Sequence, residues 1–430
     1  MGKKKREPHS KIRLSETVAG LSEAQQEALC SVFGFPRLYP HQSAAIAAMA
    51  GSSDLLLLVR TADGKTEALL GGSLLDLERG LTVMIEPLLA LQADMFGRLQ
   101  KLGLDAILLN SDLSPAAYGR AIAAIRENRT SYVLTTPEQL EKGPVFHALN
   151  KAGVAAVIVD EVHCLLEYGG DFRPAYDHIG MFIRHLHQRP VVAACTATLA
   201  PDSVKKVEKS LSMNHPILIR GPIDRPEIRQ NIVEIGSELN RNQADLVAKE
   251  RFRRLKGAIK DHVGKGDAAI IYCNTIKQTL EVVKELNNKK YHAAAFYGDM
   301  PSKEKAKVLQ EFHSKSPPII VATSAFGMGI DKPNVRLIVH MSMPLSMEDY
   351  WQKTGRAGRD GKKSYSYVFW YHGDYQTNRQ IIGQNAVKLH KLEQLKNFLQ
   401  SPGCCVQELR SYFGEKPGKR CKHCSRCQNH

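Results

Sequence analysis

Leu55-Leu56-Leu57-Leu58-Val59-Arg60-Thr61-Ala62-Asp63-Gly64-Lys65-Thr66 is five apolar residues followed, after four intervening positions, by a glycine, a lysine and a threonine. The apolar run has the length of a strand buried on both faces, and residues 67–70 beyond it are good helix formers. A strand that feeds a helix through a tight turn leaves unpaired N–H groups and the positive end of the helix dipole at that turn, where an anion is favoured. On this reading Gly64 belongs to a phosphate loop, Lys65 reaches the β- and γ-phosphates, and the Thr66 hydroxyl ligates Mg²⁺. The full pattern asks for glycine where Val59 stands, and Ala62 and Asp63 occupy places where glycines are usual. Ala62 adds a methyl where the backbone must approach phosphate, and Asp63 adds a like charge near the γ-phosphate. Taken alone, the tripeptide serves equally well as an ordinary helix start.

The 430 residues are enough for about two to four domains with sizeable cores. A net charge of +15 points to polyanionic partners. No run approaches the ~18 apolar residues of a membrane span, and the N-terminus lacks the apolar core of a secretory signal, so an intracellular, soluble protein is expected. The first 20 residues, with Lys3-Lys4-Lys5-Arg6, read as a basic flexible tail. They imply the nucleus if the source is eukaryotic, and otherwise the cytoplasm or nucleoid. Of nine cysteines, five (Cys404, Cys405, Cys421, Cys424 and Cys427) crowd the C-terminal end. In a reducing compartment that crowd indicates a metal rather than disulfides.

Beyond the opening strand, residues 81–86, 106–109, 132–135, 154–159 and 191–195 read as strands, with helices at 87–102 and 114–127 between them. That alternation predicts a parallel sheet covered on both faces. The apolar run 154–159 ends in Asp160-Glu161-Val162-His163, so the acidic pair falls at the carboxyl edge of the sheet, where ligands bind. After a crossing at 220–226 a second alternation begins, with strands at 269–272, 293–297 and 319–322 and helices at 276–286 and 303–312. Two such lobes suggest a cleft. The polar stretch 236–254 reads as an insertion or a long helix without an assigned function.

Nucleotide hydrolysis needs a carboxylate for Mg²⁺ and a group to position the attacking water, roles that Asp160 and Glu161 fit. In the second lobe, Gln352, Thr354 and Gly355-Arg356-Ala357-Gly358-Arg359-Asp360-Gly361 place two arginines three apart on a glycine-flanked segment. Such guanidinium groups can neutralise charge developing on a γ-phosphate. At the tail, C-x16-C-x2-C-x2-C spacing over Cys404, Cys421, Cys424 and Cys427 can put three thiolates of the last steps on one tetrahedral ion. Cys405, His423 and His430 are other candidates for the fourth ligand.

Across these motifs the chain resembles the RecQ-like DNA helicases of superfamily 2, over residues 21–427. The matching residues are Phe33-Gly34-Phe35 with Gln42, Gly64-Lys65-Thr66, Asp160-Glu161-Val162-His163, Thr196-Ala197-Thr198, Ile271-Tyr272-Cys273-Asn274, and the stretches 321–333 and 352–361. The resemblance implies an α/β fold of two tandem RecA-like parallel-sheet lobes (21–222 and 223–373) followed by a small helical zinc-binding module (374–430). ATP would lie between the lobes, with Gln42 on the adenine edge and Lys65, Thr66, Asp160 and Glu161 holding and hydrolysing Mg-ATP. Arg356 and Arg359 would enter from the second lobe, Arg359 as the arginine finger, while His163 and Thr196 would link the nucleotide to DNA contacts. Residues 164–174, C-L-L-E-Y-G-G-D-F-R-P, resemble the family's aromatic-rich loop, with Tyr168 and Phe172 as stacking faces and Arg173 as a charge for single-stranded DNA. Tyr168 stands where tryptophan is usual. Thr136 and Thr323, at the lobe tips, would touch DNA phosphates. Cys404 is implied as the fourth zinc ligand, with Cys405 spare, and Tyr39 stands where relatives often carry arginine.

The expected function is an ATP-dependent DNA helicase or translocase moving 3′ to 5′ on single strands and at single/double-strand junctions, in DNA repair or recombination. Many relatives continue into a winged-helix domain, and this chain stops at His430, so translocation is expected rather than robust unwinding. A nucleic-acid-binding module with weakened ATPase, motivated by the altered phosphate loop, and an RNA helicase are the alternatives.

Overall fold

The computed structural model describes residues 13–14, 20–60, 63–75, 80–87, 89–168, 178–236, 244–314, 318–327 and 332–428. The chain divides into two compact units, residues 1–222 and 223–430.

In the first unit the strands are β1 (Arg13–Leu14), β2 (Leu55–Leu58), β3 (Leu81–Ile85), β4 (Ala106–Leu109), β5 (Tyr132–Thr135), β6 (Val154–Val159), β7 (Val191–Thr196) and β8 (Ile217–Arg220). They form one sheet in the order β1-β8-β2-β7-β6-β3-β5-β4. Every pairing is parallel except that of β1 with β8. All four leucines of β2 are at most 3% exposed, which is the burial that a strand covered by helices on both faces requires. Leu55 and Leu57 share a core with Met84, Leu134 and Ile158 of other strands of the sheet and with Ala45, Met49, Leu69 and Leu70 of the helices Pro40–Ala50 and Lys65–Leu74. Those two helices lie close because of a Gly71-Gly72 pair. A Cβ added at Gly72 would sit 2.6 Å from Met49 Sδ, and one at Gly71 would sit 2.8 Å from Ile46 Cδ1.

In the second unit β9 (Ile228–Glu234), β10 (Ala268–Tyr272), β11 (Ala293–Phe296), β12 (Ile319–Ala322), β13 (Val335–His340) and β14 (Ser364–Trp370) form an all-parallel sheet in the order β11-β12-β10-β13-β14-β9. The stretch read as an insertion or a long helix contains the helix Ala244–His262. Its Arg251 is buried and binds the Phe369 carbonyl and Asp374, while Arg253 and Arg254 pair with Glu250 on the same helix.

The helices His372–Ile382, Ala386–Gln400, Cys405–Tyr412 and Ser425–Gln428 form the C-terminal module. Leu392, Leu395, Phe398, Leu409 and Phe413 of that module share a core with Tyr350, Trp351, Val368 and Trp370. Among the described residues no helix is long and apolar enough to cross a membrane.

Candidate nucleotide site and metal centre

The sheet order of the first unit brings the carboxyl ends of β2, β7, β6 and β3 side by side, so the residues that follow these strands share one edge of the sheet. After β2 the backbone turns at Gly64, whose φ of 74° lies in the left-handed region, and the helix Lys65–Leu74 begins. Any side chain at 64 would also collide with Gln42, since an added Cβ would lie 2.3 Å from its Nε2. Gln42 is itself a bridge: its Oε1 accepts from the Tyr39 N–H (2.8 Å) and its Nε2 donates to the Gly64 carbonyl (3.1 Å). Lys65 is buried, with Nζ 3.5 Å from the Val59 carbonyl oxygen, and Thr66 is half-buried on the first helical turn. Asp63, expected to add a like charge beside a phosphate, is instead paired with Arg60 at 2.9 Å.

After β6, Asp160 and Glu161 face the end of β7. Asp160 Oδ1 accepts from the Glu161 N–H (2.7 Å) and from the Cys195 thiol (2.9 Å). Burial, then the Glu161 charge, pushes the Asp160 carboxyl above its usual range, with Lys65 pulling the other way. Glu161 has a φ of 46°, unusual for a residue with a side chain and of the kind found where a site holds backbone strain. Its carboxylate lies 3.2 Å from His163 Nδ1 and 3.5 Å from Thr196 Oγ1, while His163 Nδ1 and Thr196 Oγ1 are 2.9 Å apart. The three form a closed triangle across β6 and β7. On the other flank of β6, Glu86 follows β3 at 1% exposure, and burial together with the charges of Asp160 and Glu161 raises its pKa well above the usual value.

In the second unit, Arg225 clamps the arginine-bearing segment: Nη1 donates to the Gly355 carbonyl (3.1 Å), Nη2 to the Ala357 carbonyl (2.9 Å) and Nε to Glu227 (2.6 Å). Arg356 is buried, and its Nε has no hydrogen-bond partner among the described residues. Arg359 is half-buried, and Asp360 pairs with Arg336. Both arginines lie close enough to Tyr272 to lower its phenol pKa, although burial dominates and pushes it up to about 12. Thr136 caps the short helix Pro137–Leu140 after β5 and is buried. Thr323 follows β12, with its N–H donated to the Phe296 carbonyl (3.1 Å). Tyr168 ends the helix His163–Tyr168, while Phe172 and Arg173 lie outside the described residues.

The sulfurs of Cys404, Cys421, Cys424 and Cys427 lie within 4.8 Å of one another, and Cys421 Sγ and Cys427 Sγ are 3.9 Å apart. A tetrahedral ZnS₄ centre with bonds of about 2.3 Å requires sulfurs roughly 3.8 Å apart, so the four thiols fit zinc. Cys405 is not in this cluster; it begins the helix Cys405–Tyr412 and faces the module core. Sequence reading passed over Glu86, Cys195, Arg60 and His41. The first two were detectable as polar residues at the carboxyl ends of apolar strands.

Comparison with known proteins finds helicase and zinc-binding family models along the chain. A model described as DEAD/DEAH box helicase matches residues 39–207, one described as helicase conserved C-terminal domain matches 250–361, and one described as RecQ zinc-binding matches 372–428. ATP-dependent DNA helicase RecQ of Pasteurella multocida is 30% identical over 414 residues, 95% of this chain and 62% of that protein. Probable ATP-dependent DNA helicase RecS of Bacillus subtilis is 30% identical over 378 residues, 87% of this chain and 72% of that protein. The solved structure of the DUF1998 helicase MrfA bound to DNA and AMPPNP has the same fold, with a TM-score of 0.65 at 18% identity over 96% of this chain and 61% of that one. The chain spans about three fifths of the length of the RecQ relatives.

Proposed function

Since the chain belongs to the RecQ-like family of superfamily 2 helicases, we propose that it is an ATP-dependent DNA helicase or translocase moving 3′ to 5′ along single-stranded DNA, in repair or recombination. The observation that carries this reading is the carboxyl edge of the first sheet, where Lys65, Asp160, Glu161, His163 and Thr196 stand at the ends of three adjacent strands. Gly64 and Lys65 receive the phosphates, and Gln42 keeps one N–H and one lone pair for the adenine edge beyond its two backbone bonds. Thr66 and Asp160 would hold Mg²⁺, which would supply positive charge to the triphosphate. Glu161, steadied by His163 and Thr196, orients the attacking water and takes its proton. Arg356 and Arg359 neutralise charge on the γ-phosphoryl group as it leaves. His163 and Thr196 relay DNA contact to Glu161. Thr136 and Thr323 bind the DNA backbone, and Tyr168, Phe172 and Arg173 grip bases by stacking and charge. Zinc, bound by Cys404, Cys421, Cys424 and Cys427, is structural, because four thiolates leave no position open for chemistry.

ATPase rates with single-stranded DNA, with RNA and with neither test the reading. DNA should stimulate turnover. Lys65→Ala should abolish it, and Glu161→Gln should lower kcat by about 10²- to 10⁴-fold. Hydrolysis indifferent to DNA would sink the proposal, and stimulation by RNA alone would transfer it to RNA. Displacement from 3′-tailed against 5′-tailed duplexes reports the direction.

A further inference from the structure

Asp63 is the residue that most sets this phosphate loop apart, a carboxylate two positions before Lys65. An ionised carboxylate there would oppose a polyphosphate unless something cancelled it. Arg60 supplies the cancellation from within the same loop. Its Nε donates to Asp63 Oδ2 at 2.9 Å and its Nη2 lies 3.4 Å from Oδ1, so both carboxylate oxygens are engaged. Arg60 is 7% exposed and Asp63 is 6% exposed, so solvent and salt screen the pair little. The backbone of Asp63 is fixed as well, because His41 Nε2 stands 2.7 Å from its carbonyl oxygen. Residues 60–66 contain Arg60, Asp63 and Lys65 as their charged members. With the first two cancelled, the net charge of the loop is that of Lys65.

We propose that Arg60 is a positioning residue of the phosphate loop, which sets the affinity for a nucleoside triphosphate by holding the Asp63 carboxylate in a buried ion pair, without touching the ligand itself. This rests on the nucleotide-binding reading given above. It requires opposite signs for the two single substitutions: losing Arg60 exposes a repulsive charge, and losing the Asp63 charge removes the repulsion that Arg60 exists to hold.

The test is equilibrium binding of a fluorescent N-methylanthraniloyl ATP with Mg²⁺ to the full chain. Four proteins are compared: wild type, Arg60→Ala, Asp63→Asn and the double variant. Arg60→Ala should weaken binding by about tenfold or more, as expected for a unit charge uncovered beside phosphate in a dehydrated loop. Asp63→Asn should bind more tightly than wild type, since it leaves the Arg60 charge uncovered, and the double variant, whose loop charge is again that of Lys65, should bind about as tightly as wild type. A double variant as weak as Arg60→Ala would overturn the inference, because Arg60 would then act on the ligand or on the fold directly. So would an Asp63→Asn variant weakened as much as Arg60→Ala, or an Arg60→Ala variant that binds normally while melting at a lower temperature, which is the mark of a merely structural pair. If Arg60→Ala does not fold, the double variant against wild type still decides: equal affinities support the inference and a tenfold loss in the double variant overturns it. Wild-type protein that binds no nucleotide would overturn the functional reading and this inference with it. Wild-type protein that binds, with a double variant no tighter than Arg60→Ala, would overturn this inference alone.

Discussion

Replacing Glu86 with glutamine should stabilise the protein by an amount that grows with pH. Glu86 follows β3, its N–H is donated to the Thr135 carbonyl (3.1 Å), and its side chain is buried at 1% exposure. Its Oε1 has no hydrogen-bond partner among the described residues. Burial first, then Asp160 and Glu161, raise its pKa well above that of a free glutamate. The folded state therefore binds the proton more tightly than the unfolded chain does. Below the unfolded pKa both states hold the proton and the group costs nothing. Between the unfolded and folded values the unfolded chain releases its proton and the folded state does not, so stability falls by about 1.4 kcal/mol per pH unit. Glutamine keeps the shape and has no proton to lose. At about 2–4 °C per kcal/mol for a unit of roughly 200 residues, the advantage of Glu86→Gln should widen by about 3–6 °C for each pH unit above the unfolded pKa, until the pH reaches the raised folded value. Asp160 is pushed up for similar reasons, but it titrates in both proteins and largely cancels in the difference. Thermal unfolding of the two proteins, followed by circular dichroism from pH 5 to 8, measures the gap. A gap that is constant with pH, or that closes toward alkaline pH, would refute the reasoning, since either result means that Glu86 folds as a comfortable anion.

Arg251→Ala should destabilise the second unit by about 3–5 kcal/mol, because Asp374 would remain buried with, among the described residues, the Met343 and Tyr371 N–H groups (3.0 Å each) facing its charge. Denaturant unfolding checks it, and adding Asp374→Asn should recover part of the loss. Cys424→Ser should release zinc and melt the C-terminal module, whereas Cys405→Ser should retain the metal, with metal content and helical circular dichroism as readouts. His163→Ala should reduce stimulation of ATP hydrolysis by DNA at least severalfold while leaving nucleotide affinity near that of wild type, because His163 meets Glu161 and Thr196. Equal losses with and without DNA would refute the relay.

The parts of the fold legible in the sequence were those whose signal is local. β2, β5, β6 and β12 are short apolar runs, and burial on both faces demands nothing else of an inner parallel strand, while β4 is an apolar run half-buried at the sheet edge. β9 (I-R-Q-N-I-V-E) and β14 (S-Y-S-Y-V-F-W) escaped notice because their polar residues break the run. β9 lies at the sheet edge, with half-buried positions, and Ser364 and Ser366 of β14 are tolerated inside by hydrogen bonds to Arg336 and Thr354. The same contrast holds within the candidate site. Lys65, Asp160 and Glu161 were readable because each follows a strand and carries a residue type with a narrow chemical use. Glu86 has as plain a sequence context, but its meaning depends on β3 lying in register beside β6, with Ile85 opposite Val159, and no local pattern encodes that pairing.

Asp63 shows a third kind of limit. Its type and position predicted a charge set against phosphate, and the residue that reverses this conclusion, Arg60, lies three positions away in plain view. Spacing could not decide the matter, because a carboxylate in a tight loop can face the ligand space or turn back on its own chain, and the choice depends on the backbone path into Gly64. His41, by meeting the Asp63 carbonyl, and Gln42, by meeting the Gly64 carbonyl, fix that path from a different helix. The departure from glycine at 63 is therefore physically sustainable only together with Arg60. A change at either residue alone should shift nucleotide affinity more than a change at both.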